Sequence, residues 1–252
     1  MNQQTIIETH NLTKRYGTAV AVDGLSFAIT EGEIFGFLGP NGSGKTTTLL
    51  MLLGLTEATS GTASIAGFNP TKDAIKVKRI VGYIQENIGF YDDMNGVENL
   101  RFIARLNGIT DTVSTPKITE ALERVGLKDD AEKKVAAFSR GMCQRLAIAE
   151  ILIKEPKIAF LDEPTLGLDP EGTTLIIDYI KALSREHNIT ILLSSHDLKQ
   201  VQRIADRIGI MIHGKLIAEG PIEKLAYEKL GVEDMEISLD DVYMKYFQEV
   251  TS

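Results

Sequence analysis

The sequence predicts an α/β fold: a mostly parallel sheet, an N-terminal antiparallel β subdomain and an α-helical subdomain inserted into the core. Three observations predict it. Ile34-Phe35-Gly36-Phe37-Leu38 is a continuous apolar run, as expected of a strand buried on both faces. That run feeds straight into Gly39-Pro40-Asn41-Gly42-Ser43-Gly44-Lys45-Thr46, a glycine-rich loop that opens a helix from Thr46 to Leu55. Ile158 to Leu161 and Ile189 to Ser194 repeat the buried-strand pattern, with a helix from Leu175 to Arg185 between them.

The other elements follow in order. Ile6 to Leu12 and Val20 to Ile29 alternate apolar and polar residues and read as strands, with turns at Tyr16-Gly17 and Glu31-Gly32-Glu33. Gly61 to Ala66 and Ile80 to Ile84 are two more strands, the second ending on Gln85. From about Asn95 to Ala137 the pattern is helical. Asn95 with Glu98 makes a capping box. Thr115-Pro116 predicts a helix start with proline at the first position. Ile118, Ala121, Leu122 and Val125 follow at helical spacing, and Gly126 closes the helix. Ser139 caps a helix to about Lys154, stopped before Pro156. Ile208 to Ile212 and Lys215 to Glu219 flank His213-Gly214, a two-residue hairpin signal. Pro221 to Ser252 reads as a charged, mostly helical tail. The expected organisation is one domain over residues 1–220, its helical subdomain at about 95–150, and a tail at 221–252.

Composition bounds the function. With 252 residues and 43% of them apolar, the chain can bury a sizeable core. Its net charge of −8 argues against a duplex-DNA reader, which carries a basic footprint. The single cysteine, Cys143, forbids an internal disulfide and suits a reducing compartment. The start has neither a basic nor an apolar signal region, and no apolar run approaches a spanning helix. The chain is expected not to cross a membrane by itself, but it can dock on a protein that does.

The glycine-rich loop is a complete G-x-x-x-x-G-K-[ST] motif, which holds a nucleoside triphosphate. Backbone N–H groups from Gly42 to Thr46 wrap the β-phosphate, and glycine lets the chain approach that closely. Lys45 reaches the β- and γ-oxygens, and Thr46 offers its hydroxyl to Mg2+. Gly39, Asn41, Gly42, Ser43, Gly44, Lys45, Thr46 and Thr47 are the candidate binding residues. Asp162-Glu163 ends an apolar strand, where open α/β sheets place their ligands. Asp162 is a candidate for holding Mg2+, and Glu163 for orienting or polarising the attacking water. The fold class sharpens accordingly to a P-loop NTPase core.

The order of these motifs resembles the ATP-binding subunit of ABC transporters over about residues 5 to 220. Phe138-Ser139-Arg140-Gly141-Met142 is similar to that family's signature, usually Leu-Ser-Gly-Gly-Gln. The resemblance implies that Ser139 and Gly141 of one subunit press on the γ-phosphate held by another. It makes Gln85 the glutamine-loop residue, touching Mg2+ or water and linking the site to the helical subdomain. It makes Asp169 the D-loop aspartate, working across the dimer, and His196 the switch histidine, bonded to the γ-phosphate. Tyr16 resembles the aromatic that stacks on adenine. Arg140 and Met142 depart from the common signature. Arg140 either helps neutralise the γ-phosphate or faces solvent.

The resemblance further implies ATP and Mg2+ as cofactors. It implies a second nucleotide-binding subunit, most simply a homodimer, and an integral-membrane permease that carries the chain on the cytoplasmic face of the cell membrane. No nucleic acid is expected. Ile88, Phe90 and Tyr91 either line a groove for a permease helix or pack into the subdomain core. The variant signature and the tail Ser238-Leu239-Asp240-Asp241-Val242-Tyr243 resemble exporter subunits. The alternative is a soluble ATPase of the same fold acting on ribosomes or DNA. Against it, the chain has one such domain, and only 52 residues separate Gln85 from Phe138, too few for a long coiled coil.

Overall fold

The computed structural model describes residues 4–230 and 238–251. The chain runs β1 (Thr5–Tyr16), β2 (Ala19–Thr30), β3 (Ile34–Leu38), α1 (Lys45–Leu52), β4 (Ser60–Ile65), α2 (Ala74–Ile80), β5 (Val81–Ile84), α3 (Gly96–Leu106) and α4 (Asp111–Arg124). It continues with α5 (Arg140–Lys154), β6 (Ile158–Asp162), α6 (Pro170–Arg185), β7 (Thr190–Ser195), α7 (Leu198–Ile204), β8 (Arg207–Ile212), β9 (Lys215–Gly220), α8 (Ile222–Leu230) and α9 (Leu239–Thr251).

The strands form two sheets. One is three-stranded and antiparallel, in the order β2-β1-β4. The other is six-stranded, in the order β5-β6-β7-β3-β8-β9, and is parallel except for β9. Alternation along β3 divides the core. Phe35 and Phe37 join an apolar cluster with the antiparallel sheet and α1, where Phe27 meets their rings at 5.8 and 5.0 Å. Ile34 and Leu38 join the cluster on the opposite side, which includes α3 to α7 and α9. Every residue of β3, β6 and β7 is buried, as their unbroken apolar runs require.

Several elements differ from the sequence-based expectation. Helix α1 stops at Leu52, because Gly54 turns left-handed and a Cβ there would stand 2.3 Å from the Pro70 carbonyl. The expected strand start at Ile80 is the end of α2, a short helix with only Val77 buried and therefore little apolar pattern. Helix α4 begins at Asp111 after Thr110, so Pro116 lies inside it and Thr115 is not the cap. Thr115 instead donates its hydroxyl to the Asp111 carbonyl at 2.7 Å. Helix α6 starts at Pro170, five residues before the expected Leu175, with Asp169 as its cap. Helix α7 had no expected counterpart. The His213-Gly214 hairpin forms with both residues left-handed, at φ 48° and 81°. In the expected helical tail, α8 and α9 are present, and residues 231–237 and 252 lie outside the described part.

The parallel strands deliver their carboxyl ends to one rim. Strand β3 opens into the glycine-rich loop, β6 ends on Asp162, and β7 ends on Ser195 just before His196. The rim around the central strand is where this architecture opens a ligand crevice.

Candidate active site

The glycine-rich loop frames a cavity of about 350 Å³, walled by residues 41–47 with Ala21, Glu86 and Glu163. Gly44 takes φ 104° as it caps α1, and a Cβ there would stand 2.5 Å from the Ala21 carbonyl. Glycine is thus required by both conformation and space. Lys45 is 5% exposed. Its Nζ donates to the carbonyls of Gly39 at 2.7 Å and Pro40 at 3.3 Å. It also pairs with Glu163 Oε1 at 3.8 Å, beyond hydrogen-bond reach. Burial pulls the ammonium below the usual lysine range, and the Glu163 and Asp162 carboxylates oppose that pull.

Strands β6 and β7 set the acidic pair. Thr46 donates its hydroxyl to Asp162 Oδ1 at 3.1 Å, and the Ser194 hydroxyl donates to the same oxygen. Glu163 follows at φ 51°, a left-handed conformation that a residue with a side chain rarely adopts. Its N–H is held by the Ser194 carbonyl at 3.1 Å and hydroxyl at 3.2 Å. Glu163 Oε2 lies 2.9 Å from His196 Nδ1. Glu163 Oε1 and Ser43 Oγ are buried without any hydrogen bond. Two buried polar atoms without a hydrogen bond beside the same cavity mark a surface built to meet a ligand.

A second cavity of about 350 Å³ opens between the N-termini of α5 and α6. Ser139, Gly141, Asp169 and Arg145 lie in its wall. Ser139 Oγ accepts from the Met142 N–H at 3.2 Å, and Asp169 Oδ1 accepts from the Gly172 N–H at 2.8 Å. Both helices direct their positive dipole ends there. Arg145 ties this end to α4 through the carbonyls of Val125 at 3.1 Å and Gly126 at 2.8 Å. Arg140 is exposed, and its guanidinium lies over Gly167, where a Cβ would meet it at 3.2 Å.

The structure thus gathers Asn41 to Thr47, Asp162, Glu163 and His196 at one place, and Ser139, Gly141 and Asp169 at another. Gly39 contributes its carbonyl to Lys45. Five of the expected residues stand outside both cavity walls; Gly39, Asp162 and His196 are held to wall residues by the contacts above, and Gln85 and Tyr16 are the other two. Gln85 is exposed, and the wall takes its neighbour Glu86. Tyr16 is exposed on the antiparallel sheet, with Lys14 Nζ 4.8 Å over its ring. Sequence reasoning missed Glu86 and Ser194. The only signal for Ser194 was its place at the end of an apolar strand. Ile88 and Phe90 pack against the helical cluster, and Tyr91 is exposed with its ring edge-on to Phe102 at 5.0 Å.

Comparisons with known proteins agree with this geometry. The family model described as ABC transporter matches residues 22–166. The bacitracin transport ATP-binding protein BcrA of Bacillus licheniformis is 44% identical over 94% of this chain and 76% of its own. The linearmycin resistance ATP-binding protein LnrL of Bacillus subtilis is 37% identical over 85% of this chain and 69% of its own. A solved ATP-binding subunit of an ABC transporter superposes with TM-score 0.86 at 28% identity, covering 96% of this chain and all of that one. A dimeric ATP-binding cassette in a post-hydrolysis state with ADP and Pi superposes with TM-score 0.77 at 25% identity, covering 85% of this chain and 98% of that one. The complete phosphate loop, the acidic pair at the end of β6 and these likenesses place the chain in the ABC transporter family, as an ATP-binding subunit that hydrolyses ATP.

Proposed function

We propose that this subunit powers export, paired head to tail with a second nucleotide-binding subunit and docked on an integral-membrane permease at the cytoplasmic face. The pair is most simply a homodimer. Three observations support the reading. Relatives are named for bacitracin transport, linearmycin resistance and Nod factor export. No helix among the described residues is long and apolar enough to cross a membrane, which fits a chain that works on a separate permease. The decisive observation is that the phosphate-loop residues and the signature residues Ser139 and Gly141 line two separate cavities. Each cavity is half of a site, and two chains complete it.

In this reading the loop N–H groups hold the β-phosphate, and Lys45 exchanges the Gly39 and Pro40 carbonyls for phosphate oxygens. The nucleotide's negative charge offsets the cost of keeping that ammonium buried. Thr46 and Asp162 present oxygen donors 3.1 Å apart, a hard set that fits Mg2+. Among the described residues no three His, Cys, Asp or Glu side chains form a metal cage, so phosphate and water oxygens would complete the coordination. Bound Mg2+ would neutralise charge on the β- and γ-phosphate oxygens. Glu163 Oε1, desolvated and free of any hydrogen bond, accepts the proton of the attacking water. The water oxygen bonds to the γ-phosphorus as the bond to the β–γ bridging oxygen breaks, leaving ADP and phosphate. His196 fixes the orientation of Glu163 through Oε2 and reaches toward the γ-phosphate.

From the facing subunit, the Ser139 hydroxyl, the Gly141 N–H and the positive end of α5 bind the γ-phosphate, while Asp169 works across the interface. Tyr16 offers its exposed ring to adenine, and the Gln85–Glu86 segment passes movement to α3. Closure is favoured because ATP touches both chains, and phosphate loss removes those contacts.

Glu163→Gln tests the proposal. Phosphate release should fall by about 10²-fold or more, and ATP should trap a stable dimer seen by sedimentation. Hydrolysis at the parent rate would remove Glu163 from its role.

A further inference from the structure

We infer that Glu86 is a specificity-determining residue of the hydrolytic site, a third carboxylate facing the triphosphate cavity that sets its divalent-cation affinity. The inference rests on the ATPase reading above and adds a group which the resemblance, with its amide at Gln85, does not contain.

The loop leaving β5 presents two adjacent exposed polar residues, and only one of them lines the cavity. Glu86 shares the cavity wall with Lys45, Thr46 and Glu163, whereas Gln85 does not. Gln85 is folded back along its own loop, where its Nε2 would stand 3.8 Å from a Cβ on Gly89. The Glu86 charge acts on two groups around the site: it steadies the buried Lys45 ammonium, and it adds to the forces that raise the Tyr83 phenol. The same wall holds Glu163 Oε1 on a residue only 9% exposed, with no hydrogen bond, so this is a surface prepared for a ligand.

Charge then dictates the consequence. Around the cavity Lys45 is one ammonium against the carboxylates of Asp162, Glu163 and Glu86. A polyphosphate brings further negative charge. An amide at the loop position would be indifferent to it, but a carboxylate repels it unless a divalent cation lies between them. Glu86 therefore makes nucleotide binding depend more steeply on the cation. Carboxylate oxygens also suit Mn2+ as well as Mg2+.

The test is Mn2+ binding to the full chain with a non-hydrolysable ATP analogue, read by electron paramagnetic resonance. Parent, Glu86→Gln, Glu31→Gln and Asp162→Asn proteins are compared; Glu31 is an exposed carboxylate before the amino end of β3, away from the cavity rim. Glu86→Gln should weaken Mn2+ by about 10-fold, while Glu31→Gln stays within about twofold of the parent. The analogue measured without metal should bind Glu86→Gln more tightly than the parent, because a repulsion has been removed. A merely structural disturbance would weaken both. Parent-like Mn2+ affinity in Glu86→Gln alongside a loss in Asp162→Asn overturns the inference alone. Parent-like affinity in both overturns it together with the metal reading. An equal loss in Glu31→Gln overturns the choice of residue.

Discussion

Tyr83, on β5 three residues before Glu86, reports on the charge around the cavity. Burial pushes its phenol up to about 12, with the Asp162 and Glu86 carboxylates adding to the effect. The sign follows from linkage. Below the ordinary value of 10.0 the phenol is neutral in folded and unfolded chains alike, and it does not penalise the fold. As pH rises from there toward 12 the unfolded chain sheds the proton first, so folding stability declines. Denaturant titrations across that window should show a shallower decline in Tyr83→Phe. Absorbance titration should show the Tyr83 value lowered in Glu86→Gln. At this scale the place of a residue was legible where chemistry and spacing coincide: Lys45 and Thr46 open α1 directly after a defined loop, and Asp162, Glu163 and His196 sit at strand ends. Glu86 was not legible, since which of two neighbours lines the cavity depends on the path of a loop, not on residue type.

Elements were legible in proportion to how much they bury. Strands β3, β6 and β7 are buried throughout and announce themselves as apolar runs. Helices α2 and α7 are seven residues each and leave too little period to read. The start of α4 was misplaced because Thr115-Pro116 carries the chemistry of a cap but lies within the helix. Ser114, just before it, is fully buried, and tertiary packing of that first turn outweighs the local signal. An interior proline lacks the N–H that would meet the carbonyl four residues back. Pro116 is exposed, so Pro116→Ala should stabilise the protein by about 1–3 kcal/mol, measured from the urea midpoint. A lower midpoint would contradict this account of α4. Ser139→Ala tests the next helix. Loss of the bond to Met142 N–H should cost about 1 kcal/mol of stability, and loss of the proposed contact with the facing nucleotide should abolish most turnover.

The whole molecule presents its two cavities at different places on one chain, and this is the property a linear sequence reveals least. Spacing orders the motifs. It does not say that Ser139 and Asp169 meet each other at the convergence of α5 and α6 while Lys45 and Glu163 meet elsewhere. The separation makes a complementation experiment decisive. Lys45→Ala and Ser139→Ala chains should each be inactive alone. Mixed, they should regain ATP hydrolysis, because one interface of the mixed pair unites an intact Lys45 with an intact Ser139. No recovery in verified mixed dimers would refute independent composite sites.

Glu163 occupies a posture at φ 51° that glycine would adopt with less strain. Evolution therefore faces a standing temptation at this peptide unit. Replacement by glycine would relax the main chain and remove an uncomfortable buried carboxylate, giving a sturdier but idle protein. Durability and work are set against each other at a single backbone torsion, so a lineage released from the need to do that work should drift there first.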